Sequence, residues 1–188
     1  MVIVGIDEVG RGCWAGPLVA GAVILGEPIP GLKDSKKLSA KRREILTTEI
    51  EIHALSIGLG WVWPEELDIS GITKGVKMAM ERALKAIEIS YEQVIIDGDI
   101  NYLPNALNSI AIIKADDTVP SVSAASIVAK VARDKYMAEI AQKYPVYGFE
   151  KHVGYGTALH MSALTQYGIC DIHRKSYKPI KAIMELKK

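Results

Sequence analysis

Val2-Ile3-Val4-Gly5-Ile6-Asp7-Glu8-Val9-Gly10-Arg11-Gly12 is the stretch from which the rest of this chain can be read. The apolar run is too short and too β-branched for a helix and reads as a buried strand. It stops on two adjacent carboxylates and then on a glycine-arginine-glycine turn. Neighbouring acids repel each other, and burying them unpaired costs several kcal/mol. A cation is therefore expected beside Asp7 and Glu8, and a divalent metal is the simplest candidate. Gly10 and Gly12 carry no Cβ, so another molecule can come close to the backbone. Arg11 offers planar donors suited to a phosphate or a carboxylate. An ordinary solvated turn after a strand looks the same locally, so the remaining chain has to decide.

At 188 residues the chain can bury a sizeable core. One domain spanning 1–188 is expected, with about 145–188 as a C-terminal helical and loop subregion. Apolar residues make up 49% and charged residues 24%, the balance of a soluble globular protein. No apolar run is long enough to span a bilayer, and no secretory signal is visible, so a cytoplasmic protein without a membrane partner is expected. Cys13 and Cys170 fit neither a CxxC nor a zinc spacing and read as free thiols; a disulfide between them stays open. Net charge is only +1, which excludes a strongly basic protein overall. Locally, however, Lys33, Lys36, Lys37, Lys41, Arg42 and Arg43 crowd together, either as a solvated face or as part of a phosphate-tracking groove.

Further along, Pro17 to Leu25 reads as a second buried strand, and Ser39 as the N-cap of a helix to about Thr48. Glu51 to Trp61 alternates like a third strand. A short helix starts at Pro64 and breaks at Gly71. Thr73 to about Ile87 is amphipathic, with Val76, Met80, Ala83, Leu84 and Ile87 on one core-facing side. Two more short strands, Val94-Ile95-Ile96 and Ile110 to Ile113, precede a helix from about Ser123 to Lys143. A glycine-rich loop (Lys151 to Gly156), a helix from about Thr157 to Tyr167 and a basic patch at His173-Arg174-Lys175 complete the chain. One α/β domain with a mixed sheet fits this order.

The repeated feature is an apolar strand whose carboxyl end carries acid: Asp7 with Glu8, then Asp97, then Asp116. Ligand sites of open α/β sheets lie at the carboxyl ends of strands, so these side chains can converge. Four oxygen ligands without His or Cys point to hard cations, Mg²⁺ or Mn²⁺. Two such ions about 3.5–4 Å apart suit phosphodiester cleavage. Asp99 and Asp117 sit just beyond better-placed neighbours and are set aside. Asp134 reads as a structural ion-pair residue, and His152, His160 and His173 as surface or phosphate-side residues.

The motifs together resemble the signature of type 2 ribonuclease H (ribonuclease HII). They are Ile6 to Gly12 with Ala15-Gly16-Pro17, Asp34 to Ser39, Asp97-Gly98, Lys114-Ala115-Asp116, Ala124 to Lys130 with Arg133-Asp134, and His152 to Tyr155. They span nearly the whole chain in the family's order; the family usually has Ala where Val9 stands. The resemblance implies the ribonuclease H-like fold, a five-stranded mixed sheet flanked by helices with a helical C-terminal part. It implies an endonuclease for RNA–DNA hybrids and for single ribonucleotides embedded in DNA, leaving 5′-phosphate and 3′-hydroxyl ends. By resemblance, Asp7, Glu8, Asp97 and Asp116 hold two Mg²⁺ or Mn²⁺ ions. Asp7 bridges them, Asp116 serves the ion that activates water, and Glu8 and Asp97 serve the one near the leaving oxygen. Gly10, Arg11, Gly12 and Tyr155 read the ribose 2′-hydroxyl, and Ser35 and Lys36 meet phosphate.

Asp7 lies too near Met1 for the extra N-terminal domain of ribonuclease HIII, and the residues after Pro179 are few for a long C-terminal extension. Ile180 to Lys188 shows no paired-aromatic sliding-clamp peptide. A monomer without an obligate protein partner is expected. The rival readings are a junction resolvase or transposase on the same fold, which cuts DNA as a dimer, and a nucleic-acid-binding module whose acids are structural.

Overall fold

The computed structural model describes residues 1–186. Strands β1 (Ile3–Val9) and β2 (Leu18–Leu25) form a hairpin, followed by a 3-10 turn (Ser35–Lys37), helix α1 (Ala40–His53), strand β3 (Ala54–Val62), and helices α2 (Pro64–Ser70) and α3 (Ile72–Lys85). Strands β4 (Gln93–Asp97) and β5 (Ser109–Ile112) come next. Helices α4 (Ala115–Thr118), α5 (Pro120–Lys143), α6 (Phe149–His152), α7 (Ala158–Tyr167) and α8 (Lys178–Leu186) follow. The strands lie in the order β3-β2-β1-β4-β5. β2 is antiparallel to both β1 and β3, whereas β4 is parallel to both β1 and β5. This is the expected five-stranded mixed sheet.

Period-two alternation decides which side chain meets which layer. Along β2, Ala20, Ala22 and Ile24 pack with Val76, Ala79, Met80 and Ala83 of α3, while Val23 packs with Ala124, Ala125 and Ile127 of α5. Helix α5 lies directly on the sheet. A Cβ on Gly5 would stand 2.2 Å from the Ser121 carbonyl carbon, and one on Gly21 would stand 2.5 Å from the Ala125 oxygen. The C-terminal helices pack separately, around Phe149, Leu164, Ile180 and Met137 at the far end of α5.

Several boundaries differ from the sequence reading. Helix α1 runs on to His53, because Leu46 and Ile50 continue its buried face; the third strand therefore starts at Ala54, and Ile52 is exposed. Helix α5 starts at Pro120, which occupies the first helical position where its missing N–H costs nothing. β1 runs through both acids to Val9, since Glu8 and Val9 still pair with Ala20 and Val19. Asp116 does not end a strand: β5 stops at Ile112, Lys114 turns through φ 59°, and Asp116 sits in the first turn of α4. His173 and Arg174, read as a basic surface patch, are fully buried. Both cysteines are free, Cys13 being buried. Among the described residues no helix is long and apolar enough to cross a membrane. The sliding-clamp reading of 180–188 extends to residues 187–188, outside those described.

Candidate active site

Alternation builds the acidic site. Val4 and Ile6 face α3, so Gly5 and Asp7 face α5. On β4, Val94 and Ile96 face α3 and Ile95 packs with Val122 of α5, which leaves Asp97 on the same side as Asp7. The parallel register pairs Ile6 with Ile96. One step further along it, Asp7 and Asp97 stand on neighbouring strands about 4.8 Å apart. Asp116 approaches from α4, and its amide donates to Asp97 Oδ1 at 3.3 Å. Glu8 lies beside Arg11, whose Nη1 is 3.6 Å from its Oε1.

The charges here are held against their preference. Burial, then the charges of Glu8 and Asp97, push Asp7 up to about 8, even though its Oδ1 accepts the Glu8 amide at 2.7 Å and Ser126 hydrogen-bonds it. Burial also raises Glu8; Arg11 opposes this and Asp97 reinforces it. Asp116 is pushed up to about 6 by burial and then by Asp97 and Asp34. Among the described residues, no Lys or Arg nitrogen lies within 4.0 Å of a carboxylate oxygen of Asp7, Asp97 or Asp116. The donor set is all oxygen and short of cations, which suits a hard divalent ion. Among the described residues no group of three His, Cys, Asp or Glu side chains is already placed to hold one ion. Mg²⁺ does not require such a cage; it takes one or two carboxylates and completes its shell with water and substrate phosphate.

A cleft of about 230 Å³ opens at this end of β1, lined by Asp7 to Gly12, Ser35, Lys36, Ser126, Lys130 and Tyr155. It thus gathers Asp7, Glu8, Gly10, Arg11, Gly12, Ser35, Lys36 and Tyr155 of the expected site. Asp97 and Asp116 lie outside its lining and couple to it through the charge on Asp97. The two turn glycines have different reasons to be glycine. Gly10, at φ 90°, leaves room for Arg133, whose Nε would be 2.4 Å from a Cβ there. Gly12 meets nothing within 4 Å and is the one open to another molecule.

Ser35 is buried, with its hydroxyl bonded by that of Ser126 at 2.9 Å. Arg43, from the basic run, donates to the Ser35 and Leu38 carbonyls at 3.0 and 2.7 Å and so shapes the loop that presents Lys36. Lys37 is exposed but ion-paired to Asp117, which accounts for that acid; Asp99 is exposed. Asp134 pairs with Lys130 at 2.8 Å and Arg43 at 3.8 Å, the structural role expected of it. Tyr155 turns its ring to the cleft near Lys130, and its hydroxyl hydrogen-bonds the Cys13 sulfur.

The sequence reading assigned no role to Ser126, Lys130 or Arg133. Their spacing of four and three residues on α5 puts them on one helix face, a usable signal. Arg133 is fully buried and donates to the Pro17, Val153 and Ala15 carbonyls at 2.8, 2.8 and 3.1 Å. Arg174 likewise donates to Gly16 and Arg11 carbonyls at 2.9 and 3.2 Å. The two guanidiniums stitch the turn after β1 to the C-terminal helices. His152, His160 and His173 are buried beneath that turn rather than on the surface.

A model of the family described as Ribonuclease HII matches residues 4–180. The Ribonuclease HII of Shewanella piezotolerans is 49% identical over 183 residues, covering 96% of this chain and 90% of that protein. The ribonuclease H2 of Pyrococcus horikoshii superposes with a TM-score of 0.84 at 29% identity, covering 99% of this chain and 98% of that one. The RNase HII of Archaeoglobus fulgidus, solved as a complex with PCNA, superposes with a TM-score of 0.80 at 30% identity, covering 95% and 96%.

Proposed function

From the premise that this chain belongs to the ribonuclease HII family, we propose that it nicks duplex DNA on the 5′ side of a single embedded ribonucleotide as well as cutting RNA–DNA hybrids. Family membership makes it an endoribonuclease, a phosphodiester hydrolase acting on RNA–DNA hybrids. The observation that carries the finer reading is the set of acids on the α5 side of the sheet, where burial and mutual repulsion push Asp7 and Asp116 up and, among the described residues, no Lys or Arg nitrogen lies within 4.0 Å of a carboxylate oxygen of Asp7, Asp97 or Asp116.

Asp7, Glu8, Asp97 and Asp116 would hold two Mg²⁺ or Mn²⁺ ions, which supply an activated water and neutralise charge on the breaking P–O bond. Asp7, which lines the cleft and is hydrogen-bonded by Ser126, would be the residue the two ions share. Asp97 and Asp116, joined through the Asp116 amide, form the other side of the acid set. Lys36 presents its ammonium to a backbone phosphate, with Ser35 and Arg43 fixing the loop beneath it. Gly12 lets the strand approach without a Cβ in the way, and Arg11 restrains Glu8 while facing solvent. Tyr155 donates its hydroxyl hydrogen to Cys13, so the oxygen keeps lone pairs free to accept from a ribose 2′-hydroxyl, a group DNA lacks. Its ring, partly exposed, would pack on the sugar.

The whole chain is read as one catalytic domain working as a cytoplasmic monomer without an obligate protein partner. The test is incubation with a DNA duplex holding one ribonucleotide, plus Mg²⁺ or Mn²⁺, with the nick mapped at nucleotide resolution. A cut immediately 5′ of the ribonucleotide leaving a 3′-hydroxyl is expected. Cutting of all-DNA duplex, or of long hybrid alone, contradicts the reading.

A further inference from the structure

Three buried imidazoles lie beneath the loop that carries Tyr155, and no catalytic step uses them. His152 and His160 stack with centroids 4.4 Å apart, and His160 and His173 meet Nε2 to Nε2 at 3.0 Å. Two nitrogens can approach so closely only if one donates and the other accepts, so the protons are assigned by following the network. The Cys170 amide donates to His173 Nδ1 at 2.9 Å, and the Cys170 thiol lies 3.2 Å from the same atom. Nδ1 of His173 is therefore the acceptor and its proton resides on Nε2. That proton points at His160 Nε2, which must be bare. His160 then carries its proton on Nδ1, 2.9 Å from the Tyr155 carbonyl. This assignment satisfies the Cys170 amide, the Nε2 to Nε2 contact and the Tyr155 carbonyl together, while the Cys170 carbonyl, 3.2 Å from His173 Nδ1, takes its hydrogen from the His173 amide at 3.1 Å. Moving either proton sets two donors or two acceptors face to face along the relay.

The chain of bonds ends on the residue that would touch the ribose. The rest of that loop is fastened as tightly. Arg133 holds the Val153 carbonyl, the Gly154 amide donates to His152 Nδ1 at 3.2 Å, and the Trp14 amide donates to the Gly154 carbonyl at 2.8 Å. Val153 sits at φ 43°, a left-handed conformation that costs a β-branched residue energy and persists only where surroundings enforce it. Burial lowers both His160 and His173 to about 4, so the rings stay neutral as the network requires.

We propose that His160 and His173 are positioning residues for substrate selection: a tautomer-locked relay running from the Cys170 amide to the Tyr155 carbonyl that sets where the Tyr155 ring stands over the acidic cleft. The inference rests on the reading of Tyr155 as the ribose contact. It adds that recognition of a lone ribonucleotide is tuned from inside the protein, by side chains that never meet substrate.

The experiment compares His160→Asn, whose amide can still donate at the Nδ1 position, with His160→Gln, whose amide moves to the Nε2 position and leaves the Tyr155 carbonyl unpaired. Each is made alone and with Tyr155→Ala, and cleavage at one embedded ribonucleotide is divided by cleavage within a long hybrid. Thermal melts verify folding. His160→Asn is expected to keep the ratio within about twofold and His160→Gln to lower it about tenfold, the scale of one lost hydrogen bond. In the Tyr155→Ala background the His160→Gln effect disappears if the histidine acts through the tyrosine. Equal ratios for the two single variants, or a His160→Gln loss that persists in full without the tyrosine, overturns the relay. A Tyr155→Ala variant with an unchanged ratio overturns instead the reading of Tyr155 on which it rests. Should His160→Gln not fold, His173→Gln, which keeps an Nε2-position donor, and His173→Leu, which does not, make the same comparison, with the same divergence expected.

Discussion

Two buried polar clusters lie on either side of the turn after β1, and they are built on opposite principles. On one side Asp7, Glu8, Asp97 and Asp116 crowd like charges together, and the protonation of Asp7, Glu8 and Asp116 is pushed upward. On the other, Arg133, Arg174 and the three histidines are provided with carbonyls, amides and each other, Arg174 Nη2 alone among their buried side-chain nitrogens being left without a partner among the described residues. Stability alone would select the second arrangement everywhere, because buried polar groups cost energy unless paired. The first persists where a missing cation is part of the work. Frustration marks the chemistry and satisfaction marks the frame that aims it.

The largest effect should come from relieving the frustrated side. Asp7→Asn is expected to lower single-turnover cleavage by about a thousandfold or more, since ion-supplied charge stabilisation amounts to several kcal/mol. Hybrid binding should hold, and the melting temperature at neutral pH should hold or rise, because the buried charge is gone. Mn²⁺ should raise the melting temperature of the parent by binding its folded state, and raise that of the variant far less. A variant with near-normal turnover would erase the contrast between the clusters.

Breaking the satisfied side should cost stability rather than chemistry. Arg133→Met removes the guanidinium donor from three carbonyls and is expected to lower unfolding free energy by about 3 kcal/mol in urea titrations. An unchanged midpoint would mean the guanidinium does not hold the frame.

Acid should separate the clusters further. His160 and His173 have folded values near 4 against an ordinary 6.5, so the unfolded chain binds more protons between those limits. Their contribution is intact above about pH 6.5 and is lost progressively as pH falls toward 4, by about 2 kcal/mol for each ring near pH 5. Asp7 and Asp116 act with the opposite sign: their folded values are raised, so they weaken the fold as pH climbs toward 8 and 6. Unfolding followed from pH 7 to 4.5 in Asp7→Asn removes the larger opposing effect, and a flat profile there contradicts the burial of neutral imidazoles.

The smallest effect is expected at the rim. Lys36→Ala should weaken hybrid binding a few-fold and reduce the salt slope by about one counterion, without altering where the nick falls. A shifted nick would move Lys36 from affinity to specificity.

What the sequence makes legible follows the range of the interactions involved. Asp7, Glu8 and Asp97 stand out because a short apolar run that ends in acid is a local signal. Tyr155 and Lys36 come into view only through the family resemblance, since a loop tyrosine or lysine alone looks like any other. The burial of His173 and Arg174 is invisible locally: their neighbours in sequence, Asp171 and Lys175, are polar, and their partners are Trp14, Gly16, Arg11 and His160. The α1–β3 boundary fails for a related reason. Ile52 and Leu55 alternate like strand residues but are exposed, and the buried face that decides the helix is Leu46 and Ile50.

The central claim, that the crowded acids gather cations at one place, is met most directly by anomalous scattering from crystals grown with Mn²⁺ and an uncleavable hybrid. The account predicts two Mn²⁺ peaks sharing Asp7, one reached by Glu8 and Asp97 and the other by Asp116. A peak that excludes Asp7, or Asp97 and Asp116 both turned away from the bound ions, would contradict it.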